Sequence, residues 1–145
     1  MRTVEPSVYR VGYTELDEAG LGQFLEDIGG PDWQADPRVS GAENLLEAAG
    51  RLCYRSWQAW DPRKPLATNP NVTRTREGND RYLGNIVSSG HGAVLEHAGL
   101  SFICHNVSRV FTHELVRHRA GCAYSQESLR YVRLNDLGFW SPHRS

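Results

Sequence analysis

Apolar positions in the first third of the chain recur at helical spacing in two stretches. In residues 15–28 they fall at positions 16, 21, 24, 25 and 28, which predicts an amphipathic helix ended by Gly29 and Gly30. In residues 42–57 the apolar side chains share one helical face, and Ser40 is placed to cap that helix. This second face comprises Leu45, Leu46, Ala49, Leu52, Cys53 and Trp57. A short alternating run over residues 7–13 predicts an edge strand before both helices.

A proline-rich connection and a third helix follow. Residues 61–73 contain three prolines and two asparagines, a composition that excludes a helix or a central strand. A lid over a binding site and a plain surface excursion both fit this connection. Residues 74–89 predict a helix that ends at Gly90 and turns four side chains inward. These four are Tyr82, Leu83, Ile86 and Val87.

The last segment alternates strand and helix. Residues 98–104 are apolar and suited to β structure, so we expect a buried strand there. Asn106 or Ser108 can then cap a helix that runs to about Arg119. We therefore expect an α/β fold of the mixed α+β kind. Residues 1–145 would form a single domain with N-terminal helices and a strand–helix–strand segment.

Composition narrows the class of protein. Apolar residues make up 39% of the chain and charged residues 23%, which is typical of a soluble globular domain. The net charge of −1 does not indicate a surface for polyanions. Positive charge is concentrated locally, however, because the segment from Ser108 to Arg133 contains five arginines and only two acids. Three widely spaced cysteines without a C-x-x-C pair, and no membrane-length apolar run, favour a reduced, cytoplasmic protein without a membrane partner.

The densest chemistry lies at Arg117, His118 and Arg119, which precede a loop and a second polar stretch. On a continuous helix His118 would share the apolar face, and Arg117 and Arg119 would flank it. A core histidine and cations at a helix C-terminus are the plain alternatives. They do not explain the polar residues that follow the loop, Tyr124, Ser125, Gln126, Glu127, Ser128 and Arg130. Because guanidiniums match phosphates and carboxylates, the segment indicates a site for an anionic small molecule.

Other chemistries fit less well. His113, Glu114 and His118 differ from the zinc-protease H-E-x-x-H motif, because the second histidine is five residues after the first and turns away from it. We expect no metal site. Cys122 near Arg119, with His118 as base, is an alternative nucleophile. No glycine-rich phosphate loop of known spacing occurs, so side chains would have to hold any nucleotide phosphate.

These residues carry a resemblance to a known family. The R-H-R triplet, the polar loop and the following S-x-R-Y resemble the signature of flavin-dependent thymidylate synthase. Upstream, residues 90–97 (GHGAVLEH) are similar to the family segment G-H-x-S/T-x-x-E-H. Two departures stand out. The loop from Ala120 to Glu127 has eight residues where the family usually has seven, and Ala93 replaces a hydroxyl residue.

The resemblance implies an activity. Members methylate dUMP to dTMP, with methylenetetrahydrofolate as one-carbon donor and NADPH as reductant through FAD, and they assemble as homotetramers with shared active sites. Their chains continue well beyond the second motif, so this sequence resembles an N-terminal fragment that lacks the C-terminal portion. The arginine that polarises the uracil ring would lie beyond residue 145. We expect the 145-residue chain alone to be inactive and to bind FAD weakly.

The resemblance also assigns residues by position. The catalytic residue stays unknown, and Ser128 as an attacking group is a minority alternative. Those expected to bind the cofactor are Ala93, Glu96, Arg117, His118, Arg119, Ala120 and Gln126. Those expected to bind dUMP are Glu114, Arg117, Gln126, Glu127, Ser128, Leu129 and Arg130.

A nucleotide or single-stranded nucleic-acid binding module is the alternative to an enzyme. It would use the basic stripe from Arg109 to Arg133, with Phe111, Tyr124 and Tyr131 as stacking platforms. The resemblance disfavours a nucleic-acid partner.

Overall fold

The computed structural model describes residues 2–132 and 138–140. The elements within them include both helices and strands, which confirms the expected mixed α/β class. In chain order they are β1 (Arg2–Thr3), β2 (Ser7–Tyr13), α1 (Glu18–Asp27), α2 (Gly41–Tyr54), α3 (Asn79–Ser88), α4 (Gly92–Leu95), β3 (Leu100–His105), α5 (Arg109–Leu115) and β4 (Gly138–Phe139). The chain divides into a helical unit, Tyr13–Leu100, and a strand unit, Met1–Gly12 with Ser101–Ser145.

The first hydrophobic cluster of the helical unit forms around Trp57. Its buried members are Leu25, Ala48, Trp57 and Ala67. Trp33 meets the Trp57 ring edge-on with ring centroids 5.4 Å apart, a geometry that aromatic pairs favour. The residue 61–73 connection takes part in this cluster, because Ala67 and Thr68 are fully buried. The expectation of a plain surface excursion is therefore wrong for the middle of this connection.

Helix α2 follows the sequence prediction closely at its start. Ser40 and Glu43 form a reciprocal capping box, in which each side chain accepts from the backbone N–H of the other. The helix ends three residues earlier than expected, because Arg55 takes a left-handed conformation with φ of 47°. Leu52 and Cys53 are exposed rather than inward-facing. Trp57 reaches the core from beyond the helix, where the chain has already turned.

Helix α3 packs on α2 and closes a second cluster. Tyr82, Ile86 and Val94 are buried there, with Leu83 and Ala49 packed against them. The helix begins at Asn79 instead of residue 74, because Gly78 has a φ of 86° that is incompatible with a helix. Val87 was expected to face inward, but it is 62% exposed. Three of the four predicted inward positions are confirmed.

A buried ion pair lies within α2, on the side that contacts α3. Arg51 donates to Glu47 through Nε at 2.8 Å, and both side chains are 4% exposed. Glu47 also accepts from Trp33 Nε1 at 2.9 Å and from Asn79 Nδ2 at 2.9 Å. The Tyr82 ring lies 4.5 Å from the Arg51 guanidinium carbon. The carboxylate and the guanidinium are thus satisfied inside the unit, as buried charges require.

The strand unit has two small sheets. Strand β1 pairs in parallel with β4, with Arg2 opposite Gly138 and Thr3 opposite Phe139, and β2 pairs with β3. Every residue of β3 is exposed, so the predicted strand is present but the prediction that it is buried is wrong. Among the residues that the structure describes in this unit, none is buried. Two-stranded sheets of this kind rarely bury enough surface to be stable alone.

Across the described parts of both units, the helices are too short or too polar to cross a membrane.

Candidate active site

Helix α5 carries the first half of the candidate site. Ser108 caps it, because its side chain accepts from the backbone N–H of Phe111 at 3.1 Å. Asn106 precedes the cap with a φ of 56°, and its Nδ2 donates to the carbonyl of Glu5 at 3.1 Å. This confirms Ser108 as the cap and gives Asn106 the different task of tying the turn to the N-terminal segment.

The helix ends at Leu115, which corrects the expectation that it runs to Arg119. The backbone N–H groups of Arg117 and His118 bond to carbonyls three residues back, at 3.2 Å and 3.1 Å, so the last turn is tightened. Helical stability comes mainly from packing of an apolar face. That support is weak here, because Val110 is 76% exposed.

His118 lies outside the helix and is exposed. The expected helical face that it would share with the apolar residues is therefore not formed. The alternative of a satisfied core histidine is excluded as well, because the imidazole is on the surface. His118 presents an accessible imidazole between two arginines.

The guanidiniums of this triplet are available to a ligand. Arg117 Nε lies 3.7 Å from Glu114 Oε1, and the two side chains are 73% and 68% exposed. A pair this long and this solvated contributes little, so it does not occupy the guanidinium. Arg119 has no side-chain hydrogen bond or ion pair within the part of the chain that the structure describes.

The loop after Arg119 turns the chain back toward the helix end. Gly121 takes a φ of 71°, and Cys122 N–H donates to the Arg119 carbonyl at 3.2 Å. The Tyr124 hydroxyl then donates to the His118 carbonyl at 2.8 Å. The neighbouring Cys122 thiol, as hydrogen-bond partner, raises the pKa of Tyr124. These hydrogen bonds close a turn over residues 118–124.

The second half of the site is tied to α5 by one side chain. Arg109 Nη2 donates to the carbonyl of Glu127 at 2.6 Å. Ser128 Oγ accepts from the backbone N–H of Arg130 at 3.2 Å, and the Arg130 guanidinium lies 5.5 Å from the Tyr131 ring centroid. The backbone N–H groups of Tyr131 and Val132 donate to the Ser128 carbonyl at 3.3 Å and 2.9 Å, so the segment ends in a turn at residues 128–132. Within the described residues, no carboxylate or imidazole forms a hydrogen bond with Ser128 Oγ that could make it a base for this hydroxyl.

The strand unit therefore holds most of the predicted site residues on one exposed segment, at its helix end and the turn that follows. Ser128 is half-buried and the others are exposed. The predicted site residues on this segment are Glu114, Arg117, His118, Arg119, Ala120, Gln126, Glu127, Ser128, Leu129 and Arg130. Ala93 and Glu96 belong to the helical unit, where Ala93 lies in α4 and Glu96 follows its end, both exposed. Arg133 of the basic stripe lies outside the described residues.

Two contacts near these residues were not anticipated. The sequence marks Arg109 only as one charge of the basic stripe, and its bond to a carbonyl eighteen residues away has no signal in the sequence. In the helical unit, His91 before α4 stacks on Tyr54 with ring centroids 5.7 Å apart, and its Nδ1 lies 3.1 Å from the hydroxyl. The glycine–histidine motif marks His91, but nothing local indicates its partner.

Within residues 2–132 and 138–140, no three or more histidine, cysteine, aspartate or glutamate side chains cluster as metal ligands would. Cys53, Cys104 and Cys122 are exposed and form no disulfide. The site is thus an open surface of guanidiniums, an imidazole, a hydroxyl and amides.

Comparison with known proteins shows the family of this chain. The family described as thymidylate synthase complementing protein matches residues 38–145, which include both motifs. This chain belongs to that family.

Several curated relatives of this chain carry the same name. "Flavin-dependent thymidylate synthase" of Mycobacterium sp. (strain KMS) is 45% identical over 104 residues, covering 72% of this chain and 35% of the relative. Proteins of the same name from Mycobacterium marinum (strain ATCC BAA-535 / M) and Mycobacterium leprae (strain TN) are 44% and 43% identical over 113 residues. Each of these two alignments covers 77% of this chain and 39% of the relative. The chain thus spans little more than a third of the length of these relatives.

Proposed function

We propose that this chain is part of a flavin-dependent thymidylate synthase that converts dUMP to dTMP. Converting a transferred methylene into a methyl group requires a hydride, and in this proposal the folate donates only the one-carbon unit, so the hydride comes from a separate reductant. NADPH would supply the electrons, and FAD, when bound, would pass them on as hydride. The similarity to proteins named flavin-dependent thymidylate synthase supports this proposal.

The observation that carries the proposal is the exposed triplet of Arg117, His118 and Arg119. Reduced flavin is stabilised by hydrogen-bond donors and positive charge near its ring. Only the Arg117 guanidinium has a carboxylate nearby among the described residues, and that oxygen, Glu114 Oε1, is 3.7 Å from its Nε. The donor set therefore fits FAD, with these three residues, Ala120 and Gln126 as its contacts in the strand unit.

The following turn fits the phosphate and base of dUMP. Arg130 supplies a guanidinium for the phosphate dianion, and Ser128 adds a hydroxyl beside it. Because Ser128 Oγ already accepts from the Arg130 N–H, its own proton is free to be donated to a phosphate oxygen. We assign Glu114, Arg117, Gln126, Glu127 and Leu129 to the remaining contacts with the nucleotide.

Ala93 and Glu96 are the proposed flavin contacts of the helical unit. Both are exposed at α4, so neither is committed to packing. Ala93 offers no side-chain hydrogen bond at a position where the resemblance implies a hydroxyl residue. A missing hydrogen bond of this type weakens binding by about 1 kcal/mol. We therefore expect FAD affinity to increase in an Ala93→Ser variant, as measured by fluorescence titration.

The exposed apolar side chains of the strand unit support self-association. Phe102 and Ile103 on β3 are each 53% exposed, and Val110 and Phe111 on α5 are 76% and 45% exposed. Apolar surface of this kind is typical of an interface. We propose that the full enzyme covers it in a homotetramer with shared active sites. We also propose a cytoplasmic location, where the three exposed cysteines would stay reduced.

A fluorescence titration of FAD with the 145-residue chain tests the flavin assignment. We expect saturable quenching that is about ten-fold weaker in Arg119→Gln, which removes a charge-assisted donor without changing the fold. Arg63→Gln is the matched control, because Arg63 is paired with Asp61 at 2.9 Å and lies outside the proposed site. Equal quenching by both variants would contradict the assignment.

The alternative of a single-stranded nucleic-acid module draws on Tyr131, which is 82% exposed. Strongly salt-dependent binding of oligonucleotides, without flavin quenching, would favour that module.

A further inference from the structure

The helical unit contains a polar pocket that shares no residue with the candidate active site. It lies in the segment that leads into α3, and it is lined by Arg74, Thr75, Arg76, Glu77 and Arg81. Its volume is about 410 Å³, which falls within the range of small-molecule sites. We propose that this pocket binds a phosphate-bearing small molecule.

The charge of the lining is the first argument. Three guanidiniums face one carboxylate, so the pocket carries an excess of positive charge. Two exposed arginines elsewhere in the same unit have carboxylate partners: Arg38 pairs with Asp36 at 2.7 Å and Arg63 with Asp61 at 2.9 Å. The side chains of the three pocket arginines form no ion pair within the described residues. Like charges gathered without a counter-charge favour the binding of an anion.

The rigidity of the pocket wall is the second argument. Arg51, from the buried ion pair, donates through Nη2 to the backbone carbonyl of Arg76 at 2.9 Å. Two residues after Glu77, Asn79 Nδ2 donates to Glu43 O at 3.1 Å and to Glu47 Oε2 at 2.9 Å. The backbone on both sides of Glu77 is thus attached to the core. A wall held in place before binding loses less conformational entropy when a ligand arrives.

The donor types indicate the class of ligand. Guanidiniums bind phosphate through two parallel N–H···O bonds, and Thr75 can add a hydroxyl donor. Glu77 would repel a dianion, so it sets a limit on affinity. The phosphate could belong to a nucleotide cofactor, such as the 2′-phosphate of NADP⁺, or to inorganic phosphate and pyrophosphate. These sources share the same chemistry at the pocket.

Isothermal titration of the 145-residue chain with pyrophosphate tests the proposal. We expect saturable binding that weakens about ten-fold in Arg76→Gln, because one charge-assisted pair is lost. The Arg76 carbonyl remains available to Arg51 in this variant, so the pocket wall is kept. Glu77→Gln should bind more tightly than the wild type. Arg63→Gln, whose arginine lies outside the pocket, should bind as the wild type does.

Titrations with NADP⁺ and NAD⁺ then separate the sources. Tighter binding of NADP⁺, lost in Arg76→Gln, would assign the pocket to the 2′-phosphate. Equal binding of both dinucleotides would assign it to their pyrophosphate, and pyrophosphate binding alone would assign it to an inorganic anion. Absence of saturable binding by all three probes would overturn the proposal. Unchanged affinity in both Arg76→Gln and Glu77→Gln would also overturn it, provided that circular dichroism shows folded variants.

Discussion

Arg51 connects three parts of the helical unit through one guanidinium. Besides Glu47, it donates to the carbonyls of Ser56 at 2.6 Å and Arg76 at 2.9 Å. Because both members of the ion pair are 4% exposed, removal of one leaves the charge of the other in a nearly dry environment. The stability of this unit therefore depends on a polar contact as well as on its apolar clusters.

Replacing Arg51 with methionine should destabilise the chain severely. Truncating one partner of a buried ion pair costs about 3–5 kcal/mol, and Glu47 would be left without its main partner. Urea denaturation followed by tryptophan fluorescence measures the loss. The control is Arg63→Met, which breaks an exposed pair and should leave the transition nearly unchanged. A loss in Arg51→Met no larger than in the control would show that the pair is dispensable.

The carboxyl of Asp36 provides a test of electrostatics at a single residue. A side-chain hydrogen bond from Arg38, followed by one from its backbone N–H, lowers the pKa of Asp36 from 3.8 to about 2. A lowered folded-state pKa stabilises the chain above the unfolded pKa, and this contribution is lost as pH falls through about 2. In Arg38→Gln, carboxyl NMR titration should give an Asp36 pKa closer to 3.8. An unchanged value would mean that Arg38 does not cause the shift.

At the scale of elements, α2 and α3 approach closely at Gly50. A Cβ at this position would lie 2.7 Å from the Tyr82 hydroxyl oxygen and 2.9 Å from a ring carbon. The ring cannot retreat easily, because Tyr82 is 6% exposed and lies against Arg51. Close packing of the two helices thus requires glycine here.

Gly50→Ala should lower the free energy of unfolding by about 1–3 kcal/mol, because the added methyl overpacks this contact. Gly22→Ala in α1 is the matched control, since nothing lies within 4 Å of its Cβ position. Alanine there should raise stability by up to about 1 kcal/mol through helix propensity. Chemical denaturation of both variants gives the comparison. The same sign of change at both glycines would contradict the packing described for α2 and α3.

The elements also show what the sequence could and could not predict. The start of α2 was predictable, because Ser40 and Glu43 form a local capping signal. Whether β3 is buried and how far α5 extends could not be predicted, because both depend on which residues cover their apolar side chains. The same limit applies to the connection that contains Ala67, whose prolines indicate an exposed loop although its centre is buried.

The candidate site could be predicted to a similar degree. The residues near Arg117 and Ser128 were identifiable from chemistry and motif spacing, because both properties are local in sequence. The bond from Arg109 to the Glu127 carbonyl and that from Tyr124 to the His118 carbonyl depend on the path of the loop. The loop conformation has no hydrophobic period that would reveal it in advance.

At the scale of the whole molecule, the two units differ in how they are stabilised. The helical unit has two clusters of buried residues, whereas the described part of the strand unit has none. A unit without buried apolar contacts opens locally at low cost in free energy. Hydrogen exchange should therefore be slow in α2 and α3, and fast in β3 and α5, at low protein concentration.

Self-association should reduce this difference in exchange rate between the two units. As protein concentration rises, the exchange of β3 and α5 should slow, and sedimentation should show larger species. Phe102→Ser should abolish both effects, because it removes an exposed apolar side chain from the proposed interface. Val87→Ser is the control, since Val87 is a similarly exposed apolar residue on α3 of the helical unit. Concentration-independent exchange in β3 would contradict a homotetramer interface there.

The measurement that tests the account most directly is the visible absorbance spectrum of FAD mixed with this chain, recorded while dUMP is added. If the segment from Arg117 to Arg130 contacts both ligands, bound flavin should show a spectral shift that saturates with dUMP. The shift should be lost in Arg130→Gln, which keeps the flavin residues. A spectrum that shows bound flavin but does not respond to dUMP would contradict the shared site.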